Sequence, residues 1–511
     1  MSIDLTLHRI EALLSRFPPY TRPTIHIAGT NGKGSVSAIL TSIFLATNPP
    51  SSVGRFNSPH LVSILDCITI DDKPVSQAVY MSIRDEVDKM NFREGTGASS
   101  FELLTITALL IFERSQVDIV ICEVGMGGRL DATNVIPDDA IMISVITSVD
   151  LDHQAFLGST VSSIAREKAG IARKGTPLVI SFQNHEDVIP VVKQVTSGIV
   201  TELIIAQPAI SRDWDEQLDG PEQVKFSLSP FQSPPARPVL VQGSPSEPPT
   251  KLLLPLQGDH QLANLGVAWT VVETLGLMNS SAATGAESAV LTKIRSLTTG
   301  SIRRAVEHCT WPGRLSFHSY PPEAAITEQS TTRMTVLVDG AHNQASSQTL
   351  ADYIQRLLAS LTPSRTKITA GTGEPRTKPI GLTYILGLSH SPPKTANDVL
   401  EPLLKPAQTK PPPISAHSVN IGIAIVRFTP PEGMPWVKSI SPSHLANCVR
   451  ALRPDVDLHV APDDEVSHPN NQLNDALAWA AKRTADFDGD NLVVVAGSLY
   501  LVADFYRALQ K

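Results

Sequence analysis

The segment Gly29-Thr30-Asn31-Gly32-Lys33-Gly34-Ser35 contains the residue types that bind phosphate groups. It follows an apolar run and precedes a helical pattern, which predicts a strand, a tight loop and a helix whose first N–H groups point at an anion. Lys33 offers a positive charge to phosphate oxygens, and the hydroxyl of Ser35 suits Mg²⁺. Because Gly34 separates Lys33 from Ser35, the loop departs from the common GxxxxGK[ST] pattern. The alternative is a glycine-rich turn without a ligand, which the added lysine and serine disfavour.

Acidic and histidine side chains follow two further apolar runs. Glu123 lies near the end of the run 118–124, and the glycine-rich segment 125–128 follows directly. The run 140–149 is followed by three polar residues, Asp150, Asp152 and His153. Ligands of open α/β sheets bind at the carboxyl ends of the strands, and carboxylate oxygens suit Mg²⁺. These side chains are therefore candidates for a metal or phosphate site. The alternatives are a solvent-exposed acid and a histidine that only makes hydrogen bonds.

Three more residues are candidates for the same chemistry. Lys168 lies in a helical pattern, where a lysine usually carries a solvated charge. Asp339 follows the apolar run 335–338 and is another strand-end acid. Arg314 ends the segment Trp311-Pro312-Gly313-Arg314. Its guanidinium could clamp a phosphate with paired N–H donors, or it could form a salt bridge between domains.

The elements that must position these residues alternate between strands and helices. Strands are predicted at 24–28, 118–124, 140–149, 177–181, 335–338, 382–386 and 491–496, and helices at 35–46, 159–172, 260–275, 345–361 and 499–510. This order predicts an α/β fold, with a P-loop ATP-binding domain of mostly parallel sheet over 1–315 and a smaller Rossmann-like α/β domain over 316–511. The segments 207–249 and 362–379 are predicted to be variable surface loops.

Composition excludes several classes of protein. The 511 residues carry a net charge of -8, which argues against a nucleic-acid binder. The 42% hydrophobic and 18% charged residues allow large buried cores. The longest apolar run near the N-terminus is far too short to span a membrane, and the four cysteines form no CxxC pair. We expect a cytoplasmic monomer; import into mitochondria without an obvious presequence stays open.

Nine short motifs, in one order along the chain, carry a family resemblance. They are GTNGKGS (29–35), SPHL (58–61), EVGMGGRLDATN (123–134), LDH (151–153), REKAGI (166–171), GDHQLAN (258–264), WPGR (311–314), DGAHN (339–343) and GSLYL (497–501). This set resembles the Mur ligase superfamily and, within it, the folylpolyglutamate synthase and dihydrofolate synthase family. The segments 128–131 and 432–436 look like those of fungal-type dihydrofolate synthases.

The resemblance implies roles for particular residues. For ATP it implies contacts from Thr30, Asn31, Gly32, Lys33, Gly34, Ser35, Asn264, Arg314 and Asp339. For Mg²⁺, at two sites, it implies Ser35, Ser58, Glu123, His153 and a carbamylated Lys168. For the pterin substrate it implies Phe101, Glu102, Leu130, Asp131 and Ala132, joined by the segment 4–7. The expected catalytic residues are Lys33, Lys168, His153 and Arg314.

The activity implied is an ATP-dependent ligation of L-glutamate to dihydropteroate through an acyl phosphate. The alternative is a folylpolyglutamate synthase, or a bifunctional enzyme, that adds glutamate to a reduced folate. A P-loop regulatory protein without ligase activity is a third reading, although it leaves Arg314 and Asp339 without a shared purpose. A monovalent cation is a further candidate cofactor. The segment 387–394 lacks the DKD-like motif of many relatives, so the glutamate-binding residues, expected in the C-terminal domain, stay open.

Overall fold

The structure is a computed structural model of the 511-residue chain. It describes all residues except 1–5, 244–247, 279–284, 322–332, 362–378, 391, 393, 406–418, 435–436, 464–468 and 511. The chain divides into two compact units. The first unit contains Met1–Gly220 and Ala236–Trp311, and the second contains Pro221–Pro235 and Pro312–Lys511.

The first unit is built on a large, mostly parallel sheet. Its strands are β1 (Thr24–Ala28), β2 (Val53–Phe56), β3 (Ile68–Ile70), β4 (Lys73–Pro74), β5 (Ile119–Glu123), β6 (Ile141–Ile146), β7 (Leu178–Ile180) and β8 (Leu203–Ile205). Among the described residues the spatial order is β4-β3-β2-β5-β1-β6-β7-β8. Neighbours from β2 to β8 are parallel, whereas β3 and β4 run antiparallel. Every residue of β1, β5 and β6 is buried, as expected for strands covered on both faces.

The first unit contains eleven α-helices in its described part, several of which pack on this sheet. They are α1 (His8–Leu14), α2 (Lys33–Leu45), α3 (Gln77–Glu94), α4 (Ser100–Arg114), α5 (Gln154–Leu157), α6 (Val161–Ala169), α7 (Val188–Thr196), α8 (Glu216–Asp219), α9 (His260–Leu277), α10 (Gly285–Ile294) and α11 (Thr299–Glu307). Thr160 caps α6, because its hydroxyl accepts the N–H of Ser163. A small antiparallel sheet joins β9 (Ile210–Ser211), β10 (Arg237–Val241) and β11 (Thr250–Leu254).

Two large apolar clusters hold the first unit together. One includes Ile39 of α2 and Leu265 of α9, and the other includes Ile106 and Phe112 of α4. All four side chains are fully buried. Burial of one such side chain contributes roughly 1.5–3 kcal/mol. The helix that follows the phosphate-type loop is therefore fixed by packing along its length.

The second unit has its own sheet. Its strands are β12 (Ser316–Tyr320), β13 (Met334–Val338), β14 (Ile380–Leu386), β15 (Val419–Ile425), β16 (Asp457–Val460) and β17 (Asp490–Ala496). Its helices are α12 (Gln344–Leu361), α13 (Ala396–Leu404), α14 (Pro442–Leu452), α15 (Pro469–Asp486) and α16 (Leu499–Leu509). Within the described ranges the order is β12-β13-β17-β14-β15-β16, and only β12 pairs antiparallel. The predicted α/β fold class is confirmed in both units.

The segment Pro221–Pro235 packs with the second unit, although the sequence suggested a loop of the first domain. Phe226 lies 5.4 Å from Phe317, between ring centroids, and the Thr335 hydroxyl donates to the carbonyl of Leu228 at 2.8 Å. These contacts join the segment to β12 and β13. Sequence periodicity did not reveal them because the segment is rich in proline and has no regular pattern.

Several sequence-based expectations fall on undescribed residues. The predicted loop 362–379 lies almost wholly outside the described residues, as do positions 4–5 of the segment 4–7 and the end of the segment 432–436. Each of the four cysteines is described and is a free thiol. None of the helices in the described part of the chain is both long and apolar enough to cross a bilayer.

Candidate active site

The loop 29–35 joins β1 to α2, as predicted. The N–H of Thr30 donates to the carbonyl of Ser148 at 2.7 Å, and Asn31 forms a β-bridge with the same residue. Gly32 has a left-handed φ of 96° at the N-cap of α2, a conformation that glycine adopts without steric cost. The first turn of α2 therefore offers free N–H groups beside Lys33, which is the geometry that binds phosphate.

Two lysines converge on this loop. The Nζ of Lys33 donates to the carbonyl of Gly29 at 3.1 Å, and the Nζ of Lys168 donates to the same oxygen at 2.8 Å. Lys168 is only 4% exposed, so the expectation of a solvated lysine at this position is wrong. Burial and, after it, the positive charge of Lys33 together lower the pKa of Lys168 to about 7. The charge of Lys33 beside this second amino group favours an anionic ligand.

Glu123 lies at the carboxyl end of β5, beside the loop. Its Oε1 is 3.6 Å from the Nζ of Lys33, and its Oε2 accepts a hydrogen bond from the Nδ2 of Asn57 at 2.5 Å. The strand-end position was predicted, and the structure buries this carboxylate. Ser58 follows β2, the neighbour of β5 in the sheet, and is half-buried.

The loop after β6 completes the same edge of the sheet. The N–H of Asp150 donates to the hydroxyl of Thr30 at 3.0 Å, which ties this loop to the phosphate-type loop. Asp150 also lies 3.3 Å from the Nε2 of His185. His153 begins α5 with a left-handed φ of 50°, and its side chain is 48% exposed. The imidazole is therefore accessible to a ligand.

A small cleft lies between these loops. Its lining residues are Gly29, Thr30, Lys33, Val124, Gly125, Met126, Gly127, Asp152, His153 and Lys168. Three of the four expected catalytic residues, Lys33, His153 and Lys168, thus face one cleft.

Residues distant in sequence pack behind the phosphate-type loop. The Nε2 of Gln261 donates to the hydroxyl of Ser35 at 3.1 Å, and the Nδ2 of Asn264 donates to the Oε1 of Gln261 at 2.8 Å. A Cβ on Gly34 would lie 2.5 Å from Cζ2 of Trp311. The absence of a side chain at Gly34 therefore makes room for the indole, over which Arg55 stacks at 5.1 Å from the ring centroid.

The residues expected at the pterin substrate surround the segment 125–132. The ring of Phe101 packs on Gly125, where a Cβ would clash with it. Glu102 forms a capping box with Ser99, and its Oε2 accepts from the Nε of Arg9 at 3.4 Å. Leu130 is half-buried and Ala132 is buried. The two carboxylates of this group, those of Glu102 and Asp131, accept hydrogen bonds from other groups of the protein.

Asp131 is buried and fixes the glycine-rich segment. One carboxylate oxygen accepts the N–H of Met126 at 2.8 Å, and the other accepts from the N–H and the hydroxyl of Thr133. Thr133 in turn lies 2.8 Å from the Nε2 of His26, between hydroxyl oxygen and ring nitrogen. Burial raises the pKa of Asp131, while these hydrogen bonds lower it. Asp131 is therefore a structural anchor of this segment.

Arg314 and Asp339 lie in the second unit. The two oxygens of Asp339 accept the N–H groups of Leu315 and Ala341, each at 2.8 Å. Burial raises the pKa of Asp339, and the charge of Arg314 lowers it. The Nη1 of Arg314 donates to the carbonyl of Gly313 at 3.0 Å. Asp339 thus holds the start of the second unit against the loop after β13.

The donors at the first unit's sheet edge fit a hard cation. Glu123, Ser35 and the phosphate oxygens of a nucleotide are oxygen ligands of the kind that Mg²⁺ prefers. Among the described residues, no group of three or more His, Cys, Asp and Glu side chains is arranged to hold a metal ion.

Sequence reasoning missed four residues of this arrangement. Asn57 precedes the SPHL motif, Gln261 lies inside GDHQLAN, and Trp311 begins WPGR. His26 lies within β1, where a histidine gives no pattern. Two of these residues lie inside motifs and Asn57 lies next to one, but only the packing reveals which atoms they contact.

Known proteins share both the sequence and the fold. A family model described as "Dihydrofolate synthetase, C-terminal domain" matches residues 323–508. The dihydrofolate synthetase of Saccharomyces cerevisiae is 30% identical over 510 residues, covering 99% of this chain and 98% of the relative. The probable dihydrofolate synthetase of Schizosaccharomyces pombe is 28% identical over 100% and 99% of the two chains.

Solved structures agree on the fold. Mycobacterium tuberculosis folylpolyglutamate synthase, complexed with ADP and AMPPCP, aligns with a TM-score of 0.69 at 23% identity over 99% of this chain and 96% of that one. Escherichia coli FolC in complex with DHPP and ADP aligns with a TM-score of 0.65 at 23% identity over 100% and 94%. The full-length match to the yeast protein decides the matter: the chain belongs to the dihydrofolate synthetase family.

Proposed function

We propose that the chain ligates L-glutamate to dihydropteroate, using ATP and forming dihydrofolate, ADP and phosphate. The observation that carries the proposal is the convergence of Lys33 and Lys168 on the Gly29 carbonyl, beside Glu123. Such an arrangement would suit a polyphosphate with a bound cation. The full-length relatives supply the substrate class, since they are named as dihydrofolate synthetases.

The nucleotide would lie along the loop 29–35. Backbone N–H groups from Thr30 to Ser35 and the ammonium of Lys33 would hold its phosphates. Ser35, Ser58, Glu123 and His153 would hold Mg²⁺, which when bound neutralises phosphate charge. Asn264 supports the loop from behind. The roles of Arg314 and Asp339 in nucleotide binding stay predictions from the sequence.

Lys168 would act as a carbamate. A neutral amine at this position can attack CO₂, forming an N–C bond and releasing a proton. The product presents anionic oxygen, which suits a second Mg²⁺, whereas an ammonium does not. The low pKa of about 7 supports this assignment, because much of the amine is then neutral at physiological pH. We also propose a monovalent cation as a further cofactor.

The reaction needs an activated carboxylate. The carboxylate oxygen of dihydropteroate attacks the γ-phosphorus of ATP, the bond to ADP breaks, and an acyl phosphate forms. The amine of glutamate then attacks the acyl carbon; phosphate leaves and the amine loses a proton. Lys33 would stabilise the charge on the transferring phosphoryl group. Its contribution to catalysis would come from positioning and electrostatics rather than from covalent chemistry.

The pterin would bind beside the segment 125–132. The half-buried ring of Phe101 offers a flat face for stacking, and Leu130 and Ala132 add apolar contact. Asp131 and Glu102 would act mainly by holding this surface in shape, because their carboxylates already accept hydrogen bonds from the protein.

One assay tests the proposal. Purified protein is given ATP, Mg²⁺ and L-glutamate with either dihydropteroate or tetrahydrofolate, and phosphate release and product mass are measured. We expect turnover with dihydropteroate. The Lys33→Ala variant should turn over at least about 10²-fold more slowly, as for loss of one electrostatic stabiliser. Lys174→Ala, at an exposed lysine, is the matched control.

The other outcomes identify other functions. The dihydrofolate synthase/folylpolyglutamate synthase of Mycobacterium tuberculosis is 32% identical over 69% of this chain and 66% of its own, which keeps the second activity as a candidate. Turnover with tetrahydrofolate alone would make the chain a folylpolyglutamate synthase, and turnover with both would make it bifunctional. Nucleotide binding without turnover would indicate a regulatory P-loop protein.

A further inference from the structure

We infer that Gln261 is a positioning residue that orients the hydroxyl of Ser35 toward the metal–nucleotide complex, and that Asn264 holds Gln261 in place. The inference rests on the proposed function, because it assumes that Ser35 contacts bound Mg²⁺. It assigns to α9 a task at the site that no motif in the loop itself reveals.

The contacts form a chain of three buried side chains. The Nδ2 of Asn264 donates to the Oε1 of Gln261 at 2.8 Å, and the Nε2 of Gln261 donates to the Oγ of Ser35 at 3.1 Å. Exposures are 5%, 1% and 4% respectively, so water does not compete with these bonds. A flipped Gln261 amide would place its nitrogen against the Nδ2 of Asn264, and a flipped Asn264 amide would place its oxygen against the Oε1 of Gln261, so each amide fixes the orientation of the other.

The direction of these bonds determines what Ser35 can offer. A hydroxyl has one proton and two lone pairs. Gln261 occupies one lone pair from the side of α9, which leaves the second lone pair and the proton for the opposite side. One lone pair suits a cation, and the proton suits a phosphate oxygen. Without Gln261 the hydroxyl can rotate and turn its proton toward the cation.

Asn264 also fixes the backbone on the other side of Lys33. A Cβ on Gly32 would overlap the Oδ1 of Asn264, so this carboxamide packs directly on the left-handed glycine. The same helix thus supports both ends of the segment 32–35. Because Gln261 lies in the first turn of α9 and Asn264 one turn later, both point from one face of that helix.

The test measures nucleotide binding without turnover. The dissociation constant of ADP is determined by calorimetry with Mg²⁺ and again with EDTA, for wild type, Gln261→Met, Ser35→Ala and the double variant. We expect Gln261→Met to weaken Mg²⁺–ADP binding about tenfold and to leave metal-free ADP binding within about twofold, since one oriented ligand is lost. In the Ser35→Ala background, Gln261→Met should have no further effect.

One control variant and one further test variant separate the orientation of the Ser35 hydroxyl from general packing effects. Gln257→Met changes another buried glutamine of the first unit, whose Nε2 donates to the carbonyl of Pro255, and should leave both constants unchanged. Asn264→Leu should weaken Mg²⁺–ADP binding about threefold by releasing Gln261. This second variant keeps the inference testable if Gln261→Met fails to fold.

The outcomes are distinguishable. Equal weakening with and without Mg²⁺, or an undiminished effect in Ser35→Ala, would overturn the role of Gln261 while leaving the ligase proposal intact. If Ser35→Ala leaves Mg²⁺–ADP binding unchanged, the metal role of Ser35 is wrong and the inference fails with it. The ligase proposal itself is tested separately, and it fails if the wild-type protein shows no turnover with dihydropteroate.

Discussion

At the residue scale, Lys33 and Lys168 hold their two amino groups at one carbonyl oxygen, that of Gly29. Lys33 keeps a nearby carboxylate, Glu123, at 3.6 Å. Lys168 is fully enclosed, and burial lowers its pKa to about 7. Above that pH the neutral amine predominates and can react with CO₂; below it the proton blocks the reaction.

We predict a carbamate on Lys168 at pH 8. Protein equilibrated with ¹³C-bicarbonate should show a carbamate resonance by NMR, and its intensity should fall as the pH drops through about 7. Lys168→Ala should abolish the signal and lower turnover at least about 10²-fold. Lys174→Ala should keep both. An unmodified Lys168 in fully active protein would contradict the prediction.

At the element scale, the close approach of another element explains why position 34 is a glycine. Gly34 lies in the first turn of α2, and Trp311 packs against it from the end of the first unit. Gly276, near the end of α9, has no neighbour within 4 Å of its would-be side chain. Both are helical glycines, so alanine should raise helix propensity at both, but only Gly34 has no space for a methyl group.

We therefore predict opposite effects of two identical changes. Gly276→Ala should raise the free energy of unfolding by about 0.5–1 kcal/mol. Gly34→Ala should lower it by about 1–3 kcal/mol through overpacking, and should weaken ADP binding because the first turn of α2 must shift. Denaturant titration measures the first quantity and calorimetry the second. In a Trp311→Ala background, Gly34→Ala should cost much less free energy of unfolding than it costs in the wild-type protein. If the losses of the two changes are simply additive, the indole is not the cause of the overpacking.

The same contacts explain how far sequence alone could go. Strands β1, β5 and β6 and the loop 29–35 were predictable, because buried parallel strands are continuous apolar runs and glycine, lysine and serine mark the loop. The burial of Lys168 and the partnership of Ser35 with Gln261 were not, because they depend on which face of α6 and α9 meets the sheet. Periodicity gives that face poorly for α9, which is buried along most of its length.

At the scale of the whole molecule, the chain contains separate apolar cores. Leu275 of α9 belongs to a cluster of the first unit, and Leu400 of α13 belongs to the cluster of the second. Both side chains are completely buried. Each of these two clusters draws on residues of one unit only, and Leu228 of the segment 221–235 belongs to the cluster of the second unit. Two cores of this kind are expected to melt as two cooperative transitions rather than one.

Differential scanning calorimetry with two matched variants tests this expectation. Leu275→Ala and Leu400→Ala each remove the same buried atoms, and each should cost about 2–5 kcal/mol in its own unit. For units of this size, 1 kcal/mol corresponds to roughly 2–4 °C, so each variant should lower one transition by several degrees and leave the other in place. Mg²⁺–ADP should raise the transition that Leu275→Ala lowers, since the phosphate-type loop belongs to that unit and a ligand stabilises the state that binds it. A single transition that both variants lower equally would mean that the two cores unfold as one.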